Sequence, residues 1–379
     1  MRLNTVTESG YRELKKSDVI VVGGGPAGLA CAIEAAEAGA EVTLIDENKR
    51  AGGQLFKQIH KFFGSRQHRA GVRGFDIGIQ LLEQTRKLGV KTRLDAVTLG
   101  FFGDRTLGII KDRQIELLKG EKILLATGAI ESSVVFPGWT LPGVMGAGAA
   151  QTMINVQRVL PGRRFVVLGS GNVGLIVSYQ LLQAGAEVVA VLEALPKVGG
   201  YQVHASKIRR AGVPILTSTT IKEANGNGEV KEVVSVKLDQ SWQPIAGTEK
   251  TLAADSVCIA TGLQPSIELA QMAGCTLACL PALGGFLPVH NENMQTTAEG
   301  IYIAGDTAGI EEASTAMEEG RLAGVDMAQK LGCLSKDKAA EKKNDIKESL
   351  LALRSGPFGE LRQQAKLEII RKSKAHQVQ

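Results

Sequence analysis

Cysteine is scarce in this chain and never falls at a working spacing. The five cysteines are Cys31, Cys258, Cys275, Cys279 and Cys333. They contain no Cys-x-x-Cys, and no four-ligand zinc or iron–sulfur pattern can be assembled from them. Cys31 in an Ala-rich stretch and Cys258 in an apolar run read as small core residues, a usage that fits a reducing, cytoplasmic setting. Aromatics make up only 4% of the residues, so stacking platforms for bases or sugars are few. No run of 18 apolar residues occurs, which argues against a membrane-spanning helix. The apolar stretch after Lys15 and Lys16 is not read as a signal peptide: it contains a glycine fingerprint, and residues 1–17 are polar. Positive charge is also missing from most of the chain. The net charge is +5, yet residues 334–379 alone hold eleven Lys/Arg against six Asp/Glu, and the rest holds 33 of each sign. No nucleic-acid surface is expected from that distribution. The basic tail reads as solvated helices, with docking to a partner or an anionic surface as the other reading.

What is present is glycine, 45 residues of it, in a chain that is 44% hydrophobic. Two segments repeat each other. "DVIVVGGGPAGLACAIEAAEAGAEVTLIDE" (18–47) and "RFVVLGSGNVGLIVSYQLLQAGAEVVAVLE" (164–193) share strand, glycine turn, helix, "AGAEV", strand and acid. Each spells a βαβ unit of about 30 residues. "KILLATGA" (122–129) and "SVCIATGLQP" (256–265) then close each half with a β-branched strand and Ala-Thr-Gly. Residues 284–333 supply a further strand, a Gly-Asp turn and a long helix, which need a sheet to join. The fold class is therefore α/β with two Rossmann-type domains, the second inserted into the first. A first part spans 1–158, the insert 159–283, a return segment 284–333 and a charged helical appendix 334–379. Pro-Gly pairs at 137–138, 142–143 and 161–162 mark the outgoing linker. "SGPFG" at 355–359 breaks the appendix.

The glycine turns carry the chemistry. In the first, Gly23, Gly25 and Gly28, with Pro26 and Ala27 between them, hold the G-x-G-x-x-G spacing. The first glycine permits a tight turn, the second lets a pyrophosphate approach the backbone, and the third lets helix pack on strand. The helix start offers N–H groups and a positive dipole end to phosphate. Asp46, 23 residues after Gly23, with Glu47 beside it, stands where a carboxylate accepts hydrogen bonds from ribose hydroxyls. The second turn holds Gly169, Gly171, Asn172, Val173 and Gly174, with Glu193 ending its second strand. A carboxylate there favours a free 2′-hydroxyl, hence NAD over NADP, although Lys197 lies close in sequence. A flavin suits the first site, because only the first half adds "AGGQL" (51–55), with Gly53 and Gln54, and the Gly305–Asp306 turn. The Gly-Gly pair suits a backbone passing close to a ligand. An acid at a strand–helix turn can bind a polyol hydroxyl, and the following helix would aim its N-terminus at the isoalloxazine. Thr127, Gly128 and Gly262 complete the candidate cofactor contacts. No catalytic acid or base and no metal ligand is assigned.

As an ordered set, Gly23–Gly28, Asp46, Gly52–Gln54, Ala126–Gly128, Gly169–Gly174, Ala260–Gly262 with Pro265, and "TTAEGIYIAGD" ending at Asp306 resemble the flavoproteins with two dinucleotide-binding domains, the class that includes thioredoxin reductase. The resemblance implies FAD at the first site, Asp306 on the ribityl chain and a pyridine nucleotide at the second. The disulfide reductases of that class keep two cysteines where this chain reads "GGQLFKQIHKFFG" or "LPGVMGAGAAQTM", so disulfide reduction is not expected. "ATGAIESSVVFPGWTLPGVMGAGAAQTMINVQRVLPGRR" (126–164) is similar to the α subunits of heteromeric amine- and amino-acid-oxidising flavoenzymes: sarcosine oxidase, hydrogen cyanide synthase, opine oxidase and dye-linked proline or hydroxyproline dehydrogenase. That similarity implies an electron-transfer subunit working with an FAD-containing, amine-oxidising β subunit. FMN or a 2Fe–2S cluster would come at or from partner subunits, among them a small ferredoxin-like one. Two other readings stand beside it: a stand-alone NAD(P)H-dependent FAD acceptor reductase, and a nucleotide-binding structural subunit.

Lesser candidates are weaker. Lys57, His60, Lys61, Arg66, His68, Arg69 and Arg73 form a basic run that could cradle a phosphate or dock an acidic partner, or simply be a solvated face. His204 reads as an ordinary surface or core histidine.

Overall fold

A computed structural model describes residues 15–62, 65, 67–356 and 359–376. Residues 1–14, Phe63 and Gly64 at the end of "GGQLFKQIHKFFG", Arg66, Pro357 and Phe358 of the "SGPFG" break, and 377–379 lie outside the described residues. The chain forms two compact units, one made of residues up to Ile130 and from Gln264 onward, the other of Glu131–Leu263.

In the first unit the chain runs β1 (Lys15–Val22), α1 (Pro26–Glu37), β2 (Val42–Ile45), α2 (Gly74–Lys87), β3 (Lys91–Arg93), β4 (Val97–Phe101), β5 (Thr106–Lys111) and β6 (Gln114–Leu125). The sheet order is β3-β2-β1-β6-β5-β4. β1 pairs in parallel with β2 and β6, while β4 and β5 fold back antiparallel. Val19, Ile20, Val21, Leu44, Ile123 and Leu124 are buried, because a parallel sheet covered on both faces takes continuous β-branched and aliphatic runs.

After the connecting strand β7 (Ala129–Glu131), the second unit runs β8 (Val144–Gly146), α3 (Ala147–Gln151), β9 (Arg164–Leu168), α4 (Asn172–Gln183), β10 (Glu187–Leu192), α5 (Gln202–Arg210), β11 (Ile215–Leu216), β12 (Thr219–Asn225), β13 (Glu232–Lys237), β14 (Lys250–Ala253) and β15 (Ser256–Ile259). One sheet is parallel, β11-β10-β9-β15-β8; the other is the antiparallel ribbon β12-β13-β14. Residues 131–158 pack here because β8 pairs in register with β15, Val257 opposite Val144.

The chain returns through β16 (Leu263–Pro265), α6 (Glu268–Met272), β17 (Leu277–Leu280), β18 (Gly285–Pro288), β19 (Ile301–Ile303), α7 (Ala313–Lys330), α8 (Lys336–Leu353) and α9 (Glu360–His376). β19 joins the first sheet beside the C-terminal half of β6, Tyr302 opposite Leu124. α7 lies on α1 at close range: a Cβ on Gly320 would stand 2.0 Å from the Ala27 carbonyl oxygen, and one on Gly324 2.7 Å from that of Cys31. Two glycines a turn apart let the helix backbones meet.

The tail departs from the solvated reading. Lys342 pairs with Glu34 of α1 at 2.7 Å, Lys343 with Asp326 of α7 at 2.5 Å, and Ser349 with His68 Nε2 at 2.7 Å. Lys366 on α9 is buried. A basic helix looks solvated from its own sequence, because its acids stand elsewhere in the chain.

Candidate nucleotide-binding sites

Both glycine turns sit at the C-terminal ends of parallel strands, where ligands enter open α/β sheets. In the first unit, β1 ends at Val22 and Gly23 turns the chain at φ +99°. A side chain there is impossible: a Cβ on Gly23 would lie 2.1 Å from the Ala126 carbonyl oxygen, and one on Gly28 1.9 Å from the Gly23 carbonyl oxygen. Gly25 is different. It caps α1 with extended backbone, and a Cβ on it would meet nothing within 4 Å. The protein alone does not require a glycine at this position. Pro26 opens the helix with its φ preset. Neither a side-chain cap nor an acid occupies the first turn, so the main-chain N–H groups and the positive end of the dipole stay uncompensated.

The second unit repeats this arrangement. Gly169 turns at φ +107°, with a Cβ position 2.2 Å from the Ala260 carbonyl oxygen, and Gly174 packs against Gly169 at 2.1 Å. Gly171 caps α4 with open space at its Cβ, and again no side chain or acid caps the helix. Asn172 accepts a hydrogen bond from Tyr201 N at 2.8 Å, and Val173 is exposed. Gly262 follows β15 at φ +134°.

The two acids have a structural duty that the ribose expectation leaves out. Asp46 Oδ2 accepts from Gly24 N at 2.7 Å, and its Oδ1 accepts from Asn48 N at 2.8 Å. Glu193 Oε2 accepts from Ser170 N at 2.9 Å and Ser170 Oγ at 2.6 Å, and its Oε1 from Leu195 N at 2.9 Å. Each acid thus pins the residue between the first two glycines, and each carboxylate oxygen retains acceptor capacity beyond these bonds. Glu47 is exposed just past its strand, as is Lys197.

The Gly-Gly pair has protein reasons of its own. Gly52 faces the Phe56 ring, with a Cβ position 2.0 Å from Cε2, and Gly53 packs on Gly25, 2.9 Å from its Cα. Gln54 is exposed in the short 3-10 turn Gly53–Lys57. The 3-10 turn Gly305–Ala308 follows β19. Thr307 Oγ1 accepts from Gly128 N at 2.9 Å and meets Thr127 Oγ1 at 3.2 Å, while Thr127 donates to the Ser266 carbonyl at 2.8 Å. Gly23, Gly128 and Gly305 therefore gather at the ends of β1, β6 and β19. Burial pushes the Asp306 carboxyl up to about 6; a main-chain N–H of Glu311 opposes the rise and Glu319 adds to it. Sequence reading missed Thr307, which has no local signature and matters only through a partner 179 residues away.

The linker stretch 141–153 also has a definite filling. Glu131 Oε1 accepts from Gly148 N at 2.6 Å, and a Cβ on Gly146 would stand 2.1 Å from Glu131 Oε2. Its small residues make room for this carboxylate at the start of α3. The basic run is partly spent inside the unit. His68 is buried, with Ser65 Oγ at its Nδ1, Arg69 donates to Gln80, and Arg73 donates to the Ile59 carbonyl. His204 is buried, and burial followed by the Lys207 charge lowers its pKa. All five cysteines are free. Among the described residues no group of three or more His, Cys, Asp or Glu is placed to hold a metal, and no helix is long and apolar enough to cross a membrane.

Two α/β units, each with a glycine turn, an uncapped helix start and an acid behind it, define a protein of the two-dinucleotide-site type. The chain belongs to the pyridine nucleotide-disulphide oxidoreductase family, whose profile matches residues 17–320. It is 31% identical over 325 residues to the A subunit of opine oxidase from Agrobacterium tumefaciens (strain Ach5), covering 81% of this chain and 64% of that one. It is 29% identical over 350 residues to the HcnB subunit of hydrogen cyanide synthase from Pseudomonas aeruginosa, covering 86% and 73%. The chain thus spans less than two thirds of the opine oxidase polypeptide it matches. In fold it is similar to L-proline dehydrogenase from P. horikoshii, at a TM-score of 0.66 and 23% identity, over 89% of this chain and 60% of that one.

Proposed function

We propose that this chain is the electron-transfer subunit of a heteromeric flavoenzyme that oxidises an amine or amino acid, with FAD in the first unit and NAD in the second. The observation that carries the reading is the pair of glycines, Gly25 and Gly171, kept without any protein contact to require them at two uncapped helix starts. A pyrophosphate supplies the reason that the protein atoms do not. In the first unit Gly23–Gly28, Asp46, Gly53, Thr127, Gly128, Gly305 and Asp306 hold FAD. In the second, Gly169–Gly174, Glu193 and Gly262 hold NAD in preference to NADP. The bound flavin supplies hydride and electron transfer; the chain's own groups bind, orient and tune it. The subunit names of the relatives support a partner; in this reading it is an FAD-containing amine-oxidising β subunit. A small ferredoxin-like subunit would bring the 2Fe–2S cluster, and FMN would sit at a subunit boundary. A stand-alone NAD(P)H:acceptor reductase is the second reading, favoured by the intact geometry of the second turn.

The purified chain tests this. Oxidised-flavin absorption bands are expected, with little bleaching by NADH added to the chain alone under anaerobic conditions; once a partner subunit is added, the amine should donate the electrons that bleach the flavin. Rapid bleaching and multiple turnovers by the chain alone favour the reductase reading. A colourless protein that takes up no FAD overturns both.

A further inference from the structure

The C-terminal helices bury charge directly behind the Gly305–Ala308 turn. Glu319, in the middle of α7, is 2% exposed at its side chain, and Lys366 of α9 is also 2% exposed. Glu319 Oε2 accepts from Gly305 N at 3.0 Å. Its Oε1 accepts from Lys366 Nζ at 2.6 Å and from an Arg354 guanidinium N–H at 2.5 Å. Lys366 also donates to the Ala308 carbonyl at 2.9 Å. Arg354, at the end of α8, makes a two-pronged contact with Glu311, at 2.9 Å from Nε and 2.7 Å from the second nitrogen. The turn is therefore gripped at both ends, Gly305 through Glu319 and Ala308 by Lys366 itself. Burial raises the Glu319 pKa, but Lys366 and Arg354 outweigh it and hold the carboxyl below the usual range.

A buried ion cluster is a poor way to gain stability, since desolvation consumes most of the Coulombic gain. Its use is geometric. Removing one partner strands a buried charge, so the remaining groups are held to one arrangement. The groups held are the main chain on both sides of Asp306. We propose that Lys366 and Arg354 are positioning residues for the first nucleotide site, fixing the Gly305–Ala308 turn through Glu319, so that the C-terminal helices are a working part of that site. This rests on the reading that the first unit holds FAD.

The test compares Lys366→Met, Lys366→Arg and Glu319→Gln with the unaltered full-length chain. FAD affinity is titrated on flavin-stripped protein, and NADH affinity at the second unit serves as an internal control. Lys366→Met should weaken FAD binding by about tenfold or more, as expected when one partner of a buried cluster is lost, with NADH affinity unchanged. Lys366→Arg should recover most of it. Glu319→Gln keeps an acceptor for Gly305 N and should fall between. The midpoint potential of the flavin that Lys366→Met retains should move negative, because a cation near the turn is lost. FAD affinity within twofold of the unaltered chain for both Lys366→Met and Glu319→Gln overturns the inference. So does parallel loss of FAD and NADH binding, which marks a general loss of structure. If the unaltered chain binds no FAD, the flavin reading falls and this inference falls with it.

Discussion

The glycines of the two turns look alike in sequence and differ in physical role, which separates their mutants. At Gly23 and Gly28 an added Cβ would meet a carbonyl oxygen at 2.1 and 1.9 Å. Backbone cannot give way as a flexible side chain does, so Gly23→Ala and Gly28→Ala should cost about 3 kcal/mol or more of folding stability. At Gly25 and Gly171 the space is empty and the backbone is extended. Alanine there should change stability by no more than about 1 kcal/mol, while dinucleotide affinity drops about tenfold or more from the clash with pyrophosphate. Denaturant melts paired with dinucleotide titrations read both effects. Unchanged affinity in Gly25→Ala would remove the main support for a nucleotide at the first turn. Asp306 gives a second test at this scale. Its folded pKa, about 6, lies above the ordinary 3.8. A raised carboxyl contributes stability that is fully present below the unfolded pKa and lost as pH rises through the folded one. Relative to Asp306→Asn, the ligand-free protein should therefore lose stability between about pH 4 and pH 6. Equal differences between the two proteins at pH 4 and pH 7, measured by chemical denaturation, would contradict this.

At the scale of elements, the βαβ units were legible because their signals are local: a β-branched run, a glycine turn, a helix and an acid within about 30 residues. The contact of α7 with α1 was not. Gly320 and Gly324 sit in a stretch whose helical pattern is clear, but nothing local says that Ala27 and Cys31 press against them from 293 positions earlier in the chain. Separation along the chain likewise hides Thr307 from Gly128, 179 positions away, and Lys366 from Glu319, 47 away. Glycine inside a helix ordinarily costs about 1 kcal/mol against alanine, so Gly320→Ala should stabilise a free helix. Here the Cβ would lie 2.0 Å from the Ala27 carbonyl oxygen. Forcing two packed helices apart costs about 2–4 kcal/mol, which exceeds the propensity gain. The expected outcome is net destabilisation of about 1–3 kcal/mol, read by thermal or urea melts. A Gly320→Ala protein more stable than its parent would show that the helices do not meet as described.

Across the whole molecule, the family carries disulphide in its name, and all five cysteines of this chain are free. Cys31 and Cys258 are fully buried, and burial pushes the Cys258 thiol up to about 12 and that of Cys31 up as well. Cys275 is buried and its thiol donates to Thr296 Oγ1 at 3.3 Å. Cys279 is exposed and Cys333 half-buried. A redox-active pair needs at least one accessible thiolate, and the enclosed Cys31 and Cys258 do not supply one. The room opened by Gly146 and Gly148 holds the Glu131 carboxylate, which has no redox chemistry. On the proposed reading, electrons that reach a flavin in the first unit are expected to leave by transfer to another cofactor or an external acceptor. With NADH or NADPH as donor, turnover of a small aromatic disulfide or of an oxidised protein disulfide should stay at background. Alkylation of the native protein should mark Cys279 first and spare Cys31 and Cys258 until the chain is unfolded. Flavin reduction by any competent donor should be unaffected by Cys279→Ser. Disulfide turnover that disappears on alkylation of Cys279 would mean that this thiol is redox-active, and the cofactor-to-cofactor route would have to be abandoned.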